Sequence, residues 1–192
     1  MSESSFRSGV RSSVRGLWSG VLSQSDFTSA MKSAIKRNLT NAWNEGAVEC
    51  SIQEDELSED EVKARDAFID EQYGYISGFA EAIRESDKIS GEKLQPLFDR
   101  AEMWINRYPD ARNQAKVLTC KNQKLRWILG PTESHCPDCS KYSNKIYRAS
   151  AWDSVGARPQ SQSLACHGFR CRCRLEVTTS RASRGQPPAP TG

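Results

Sequence analysis

Two cysteines in the stretch "SHCPDCSKYSNKIYR", Cys136 and Cys139, stand in C-x-x-C spacing, and "ACHGFRCRC" further along adds Cys166, His167, Cys171 and Cys173. Such a pair serves thiol–disulfide exchange, a structural disulfide or metal binding. Exchange expects a βαβ setting with the motif opening a helix, whereas this pair follows "LGPTESH" and precedes a hairpin-like stretch. Disulfides are rare where thiols are kept reduced, and the N-terminal residues have neither the apolar centre nor the cleavage site of a secretory signal. Metal is therefore the favoured reading. Zinc takes four N or S ligands in a closed tetrahedron, commonly two from each of two short loops. The preferred ligands are Cys136, Cys139, Cys166 and Cys171, with Cys173 or His167 as substitutes. Adjacent side chains diverge, so Cys166 and His167 do not both reach one ion, and the same holds for His135 and Cys136. Every such set is closed to substrate, which makes the expected zinc structural, a staple for a piece too small to fold alone.

The elements that must position these residues divide by texture. Phe6, Val10, Val14, Trp18 and Val21 lie at helical spacing over residues 4–22, with Arg7, Arg11 and Arg15 on a neighbouring face. That pattern predicts an amphipathic helix whose basic stripe docks on an acidic partner surface. Phe27, Met31, Ile35, Leu39 and Trp43 form the most regular apolar stripe, with Gly46 a place for it to stop. Ser58 and Glu61 fit a capping box at the start of a long helix carrying Val62, Phe68, Ile69, Tyr73, Ile76, Phe79 and Ile83. Gly74 and Gly78 within it imply close packing or a bend, and "SDKISG" breaks it. Leu94 to Ile105 marks another helix that Pro109 ends, and residues 110–125 a more polar one. After Gly130 and Pro131 short β-prone pieces follow, "KIYRA" and "RCRLEVTT". In the second, Cys171, Cys173, Leu175 and Val177 alternate with charged residues as in a half-buried strand. The fold class expected is mainly α: a helical body over 1–126, a zinc-stapled α+β module over 127–178, and a disordered tail over 179–192.

Charge is uneven beneath a net +3: residues 1–130 hold 18 Lys/Arg against 20 Asp/Glu, and 131–192 hold 9 against 4. Arg170, Arg172, Arg174 and Lys141 either neutralise the thiolates or touch nucleic acid. Cys50 and Cys120 stand apart in helical patterns and read as free thiols acting as small hydrophobes. No Gly-rich phosphate loop and no Ser/His/Asp arrangement is visible, so the chain reads as a non-enzyme. No apolar run approaches the ~20 residues that span a bilayer. The protein is expected to be soluble and made in the cytosol.

With Trp127, Gly130, Cys136, Cys139, Pro159, Cys171 and Cys173 in view, the segments "RWILGPTESHCPDCSKYSNKIY" and "ARPQSQSLACHGFRCRCRLEV" resemble the phage head morphogenesis, or minor head, proteins of the Mu F-like group. The hairpin glycine of that pattern is Asn144 here, and the Cys166–His167 pair sits further upstream of the last cysteines than the family's histidine. The resemblance implies a structural virion component made in the host cytoplasm. Such a protein binds the portal or inner capsid, several copies per virion, and aids head assembly or DNA passage. The alternative class is a zinc-dependent nucleic-acid-binding regulatory protein whose Arg-rich strand touches DNA.

Overall fold

A computed structural model of the chain describes residues 3–86, 93–169 and 171–192. It is mainly helical, with a small antiparallel sheet toward the C-terminal end. The helices are α1 (Glu3–Ser19), α2 (Gln24–Val48), α3 (Glu59–Tyr73), α4 (Ile76–Glu85), α5 (Gln95–Ile105), α6 (Arg107–Thr119), α7 (Pro137–Tyr142) and α8 (Ala149–Ser154). The strands are β1 (Lys124–Ile128), β2 (Ile146–Arg148) and β3 (Arg174–Thr178). Among the described residues no helix is long and apolar enough to cross a membrane.

The chain divides into two units, Met1–Asn41 with Asp66–Tyr108, and Ala42–Arg65 with Pro109–Gly192. This differs from a boundary at residue 126. The reason is that the cysteine-rich segment shares its core with residues far upstream, and its sheet already begins at Lys124.

In the first unit α1 buries Phe6, Val10, Val14 and Leu17. The helix stops at Ser19, and Gly20 turns the chain at a φ of 78°. Val21, read as part of the stripe, is therefore left 80% exposed, while Leu17 takes the inward position. Phe27, Met31, Ile35 and Leu39 are buried as the spacing requires. Phe79 of α4 packs edge-on to Phe27 and, 5.1 Å between centroids, against Trp104 of α5. The long helix expected from residue 59 onward is two helices, broken between Tyr73 and Ile76 at Gly74. A Cβ on Gly78, inside α4, would meet nothing, so close packing does not explain that glycine, while Gly74 lies at the break. Most of "SDKISG" lies outside the described residues.

The basic stripe of α1 is turned inward within this unit, against α5. Arg7 and Arg11 both pair with Glu102, and Arg11 and Arg15 lie over the Phe98 ring at 5.3 and 5.8 Å. An acid and an aromatic ring on α5 thus meet part of the stripe expected to dock on a partner.

The second unit is built around β1, the middle strand of a sheet ordered β2-β1-β3. Leu125 pairs with Tyr147 on one side and Val177 on the other, and Trp127 pairs with Leu175. Trp127, Tyr142, Tyr147 and Trp152 form one aromatic cluster, with centroids 4.8 to 5.4 Å apart. The Trp152 indole N–H is satisfied by the Leu125 carbonyl at 3.1 Å. Val117, Leu125, Leu164 and Leu175 complete the core. Cys50, Val117, Cys120 and Leu125 join this core from upstream, so it extends beyond residues 127–178.

Gly46 does not end α2, which runs on to Val48. A Cβ there would overlap the Arg112 carbonyl, so the glycine lets α2 and α6 cross closely. Near that crossing Cys50 and Cys120 form a disulfide, Cα atoms 5.0 Å apart across a separation of 70 residues. Reading them as free thiols is thus corrected; a pairing between the ends of two helices leaves no local trace in sequence. The capping box does form: the Ser58 N–H donates to Glu61 at 2.8 Å, and the Glu61 N–H to the Ser58 hydroxyl at 3.4 Å.

Residues 179–192 are also corrected, from disordered tail to surface strap. Lys124 Nζ donates to the Thr179 and Ser180 carbonyls, and Ser183 N–H donates to Ile146 on the edge strand β2. Tyr142 donates to Pro188, Lys141 to Ala189, and Thr191 reaches Asp138. The tail has almost nothing apolar to bury, but it meets polar groups that the fold has already arranged.

Candidate metal centre

Cys136 opens α7 as its N-cap, with Pro137 at the first helical position, where a missing N–H costs nothing. The cap geometry turns the Cys139 N–H toward the Cys136 sulfur at 3.4 Å. One helical turn thus places both thiols of the C-x-x-C on the same side. Asp138, between them, is fully buried and accepts from the Ala165 N–H at 2.8 Å. That bond holds the start of the Cys166 loop against α7.

The C-R-C segment is fixed from the other side by Gln160. Its side-chain amide donates to the Cys171 carbonyl at 3.2 Å and the Cys173 carbonyl at 2.6 Å, while its oxygen accepts from Asn113 of α6 at 2.7 Å. Asn113 in turn accepts the Leu175 N–H at 2.9 Å. Gln160 holds a φ of 65°, and Gly168, at 75°, packs so close to the Gln160 carbonyl that a Cβ there would overlap it. Gly130 allows an equally close approach of the β1 end to the Arg172 backbone. These two glycines are positions where the cluster's loops require the absence of a side chain. Neither Gln160 nor Asn113 was identifiable in the sequence, since a buried amide clamp has no spacing signature.

The result is two groups of three sulfurs that share Cys139: Cys136, Cys139 and Cys166, and Cys139, Cys171 and Cys173, the atoms of each group within 4.8 Å of one another. Cys139 and Cys171 are 3.8 Å apart. All five cysteines singled out by spacing are brought together and positioned to bind a metal ion. His167 is not: it is exposed, at a φ of 47°, with Nδ1 2.9 Å from the Gln162 carbonyl. His135 contacts the Thr132 hydroxyl through Nδ1 at 3.1 Å. Strand β3 starts only at Arg174, so Cys171 and Cys173 precede it.

Backbone N–H groups supply much of the local positive potential. Besides Cys139 N–H on Cys136, the sulfur of Cys166 accepts from Gly168, that of Cys171 from Cys173, and that of Cys173 from Gly130. Of the cations expected to balance the thiolates, Arg172 borders the sulfurs and two others are engaged elsewhere. Arg174 pairs with Glu176 at 2.7 Å, and Lys141 reaches the strap. Arg170 lies outside the described residues.

Proton sharing within the cluster is unequal. Hydrogen bonds from Cys139 first and Cys171 next, helped by Gly130 and the Trp127 indole, pull the Cys173 thiol down to about 3. The Trp127 indole N–H is buried without a well-aligned partner, so its effect on that sulfur is electrostatic more than a formed hydrogen bond. Cys139 is pushed up by its hydrogen bonds to Cys171 and Cys173, and burial pushes Cys166 up to about 12. A soft cation bound there would displace the protons that the cluster's thiols carry. A cavity of about 580 Å³ opens beside the sulfurs, with His135, Phe169 and Arg172 among the residues around it.

No family model matches the chain, and neither a curated protein nor a solved structure does.

Proposed function

We propose that the five-thiol cluster holds a structural zinc ion, and that the protein is a structural component of a phage head, of the minor head type, bound to the portal or inner capsid. The observation that carries the metal reading is the convergence of five sulfurs on Cys139 with backbone N–H groups aimed at four of them. Soft thiolates select zinc over hard cations, and an ion held by four of them has no position left for substrate. Cys136, Cys139, Cys171 and Cys173 or Cys166 would hold it. The ion would tie α7, the Cys166 loop and the start of β3 together.

The head reading is supported by the resemblance centred on Trp127, Cys136, Cys139, Pro159, Cys171 and Cys173. Those residues all fall in the second unit, with Trp127 beside Cys173 and Pro159 buried next to Gln160. Of the Arg-rich strand on which the DNA-binding alternative relies, Arg174 is paired with Glu176.

Elemental analysis of the purified protein tests the first part: about one zinc per chain is expected. No metal, with five freely reactive thiols in the native protein, would overturn it. For the second part, the protein expressed with its neighbouring genes should copurify with a portal or capsid subunit. Salt-sensitive DNA binding in place of such a partner would favour the regulatory alternative.

A further inference from the structure

The second unit holds its seven cysteines in two chemical states. Cys50 and Cys120, each 2% exposed, are joined, while Cys136, Cys139, Cys166, Cys171 and Cys173 are free. That partition runs against simple competition. The free thiols are close to one another, with 3.8 Å between the sulfurs of Cys139 and Cys171, and they border an open cavity. Two further possible pairs, Cys136–Cys139 and Cys171–Cys173, would close loops of only a few residues. The Cys50–Cys120 bond spans 70 residues and its sulfurs are buried. Loop closure favours the short pairs, and the half-buried Cys136 and Cys166 are easier to reach than Cys50 and Cys120. A soluble disulfide should therefore oxidise the wrong cysteines first.

We propose that metal occupancy of the cluster directs oxidation to Cys50 and Cys120, so that the protein takes up its metal before its disulfide forms. This rests on the metal reading given above. Thiolates bound to a cation are withheld from exchange, leaving Cys50, Cys120 and one cluster cysteine, of which Cys50 and Cys120 meet in the fold. With glutathione disulfide as oxidant, the thiolate of one of the two attacks a glutathione sulfur. A mixed disulfide forms and one glutathione thiol leaves. The second protein thiolate then displaces the second glutathione. Two protein thiols are oxidised, one glutathione disulfide is reduced to two thiols, and the two protein thiol protons end on them. Folding thus begins in a reducing compartment, where the metal is acquired. The disulfide follows on exposure to oxidant, with the cluster protected.

The test is oxidative refolding of the full, reduced and denatured chain in glutathione disulfide, with zinc or with a chelator. Products are alkylated, digested and mapped by mass spectrometry, and retained zinc is measured after gel filtration. With zinc, Cys50–Cys120 should be the dominant bond and the other five cysteines recoverable as thiols. With chelator, bonds within the cluster should dominate and the yield of the single native bond fall about fivefold or more. Cys139→Ser, which removes the sulfur common to both groups, should give the chelator pattern even with zinc present. Retained zinc with the same bonds in both arms would overturn the ordering and leave the metal reading intact. No retained zinc would overturn the metal reading, and the ordering with it.

Discussion

Replacing Thr191 by Val tests whether the last residues of the chain are a bound strap. The Thr191 hydroxyl donates to Asp138 Oδ1 at 3.0 Å, and its N–H donates to Oδ2 at 3.1 Å. Valine keeps the shape and the backbone bond and deletes only the hydroxyl. The acceptor is a carboxylate with no exposure to solvent. A hydrogen bond to a charged group contributes roughly 1.5–3 kcal/mol, so the detached population of the strap should rise about ten- to a hundredfold. The remaining anchors should hold part of the segment: Ser183 on β2, Pro188 on Tyr142, and Gly192 on the Ser163 carbonyl. Native-state hydrogen exchange reads the effect residue by residue. Amides 191 and 192 should lose protection, Ser183 should lose less, and the amides of α6 should be unchanged. Tyr142→Phe, which removes a neutral bond of roughly 0.5–1.5 kcal/mol, should add to it because the two contacts share one segment. If the exchange of amides 191 and 192 in Thr191→Val stays within about twofold of wild type, the hydroxyl is not an anchor and the reasoning fails.

Two further outcomes follow from the groups around the cluster. Gln160→Gly tolerates the positive φ and isolates the side-chain clamp on the Cys171 and Cys173 carbonyls; it should destabilise the second unit by roughly 2–4 kcal/mol and speed chelator-driven zinc release. An unchanged release rate would contradict the clamp. Burial would raise the Glu61 pKa, but hydrogen bonds from Ser58 and the Lys121 ammonium bring it below its ordinary value. Because the folded value is depressed, Glu61 stabilises the protein above about pH 4.5 and loses that contribution as pH falls through the folded value. The melting temperature of wild type should therefore fall more steeply than that of Glu61→Gln from about pH 6 to 3, and parallel curves would refute it.

What the sequence made legible is what local chemistry encodes. The stripe from Phe27 to Leu39 reads as a helix because burial repeats with the helical period, and Ser58 with Glu61 reads as a cap because both partners lie within one turn. The cysteine cluster is legible by density alone. What stayed hidden depends on partners distant in the chain. Nothing near Cys50 points to Cys120, and nothing in "RGQPPAPTG" points to Asp138. The basic stripe of α1 was visible, but that Glu102 and Phe98 cover it is a property of how α5 packs. Gln160 is the clearest case: a polar residue in an unremarkable loop becomes the hinge of the C-R-C segment only once α6 brings Asn113 to it.

These distant partners also change what a metal ion would do for the fold. A thin module of residues 127–178 would depend on the ion to fold at all. The second unit adds to that module's four interlocking aromatic rings a disulfide just past the ends of α2 and α6, and the buried Lys116 ammonium, whose Nζ lies 2.6 Å from Glu49 and 2.7 Å from the Leu175 carbonyl. Residues 42–65 and 109–126 contribute to that core, so the sheet has support beyond the cluster. A bound ion would then contribute locally, fixing α7, the Cys166 loop and the C-R-C segment, which carry few large apolar side chains beyond Tyr142. Asp138 and Gln160 hold the same three pieces through hydrogen bonds to backbone groups. A metal ion would act on the same small region as this polar clamp, which Thr191 of the strap also reaches through Asp138.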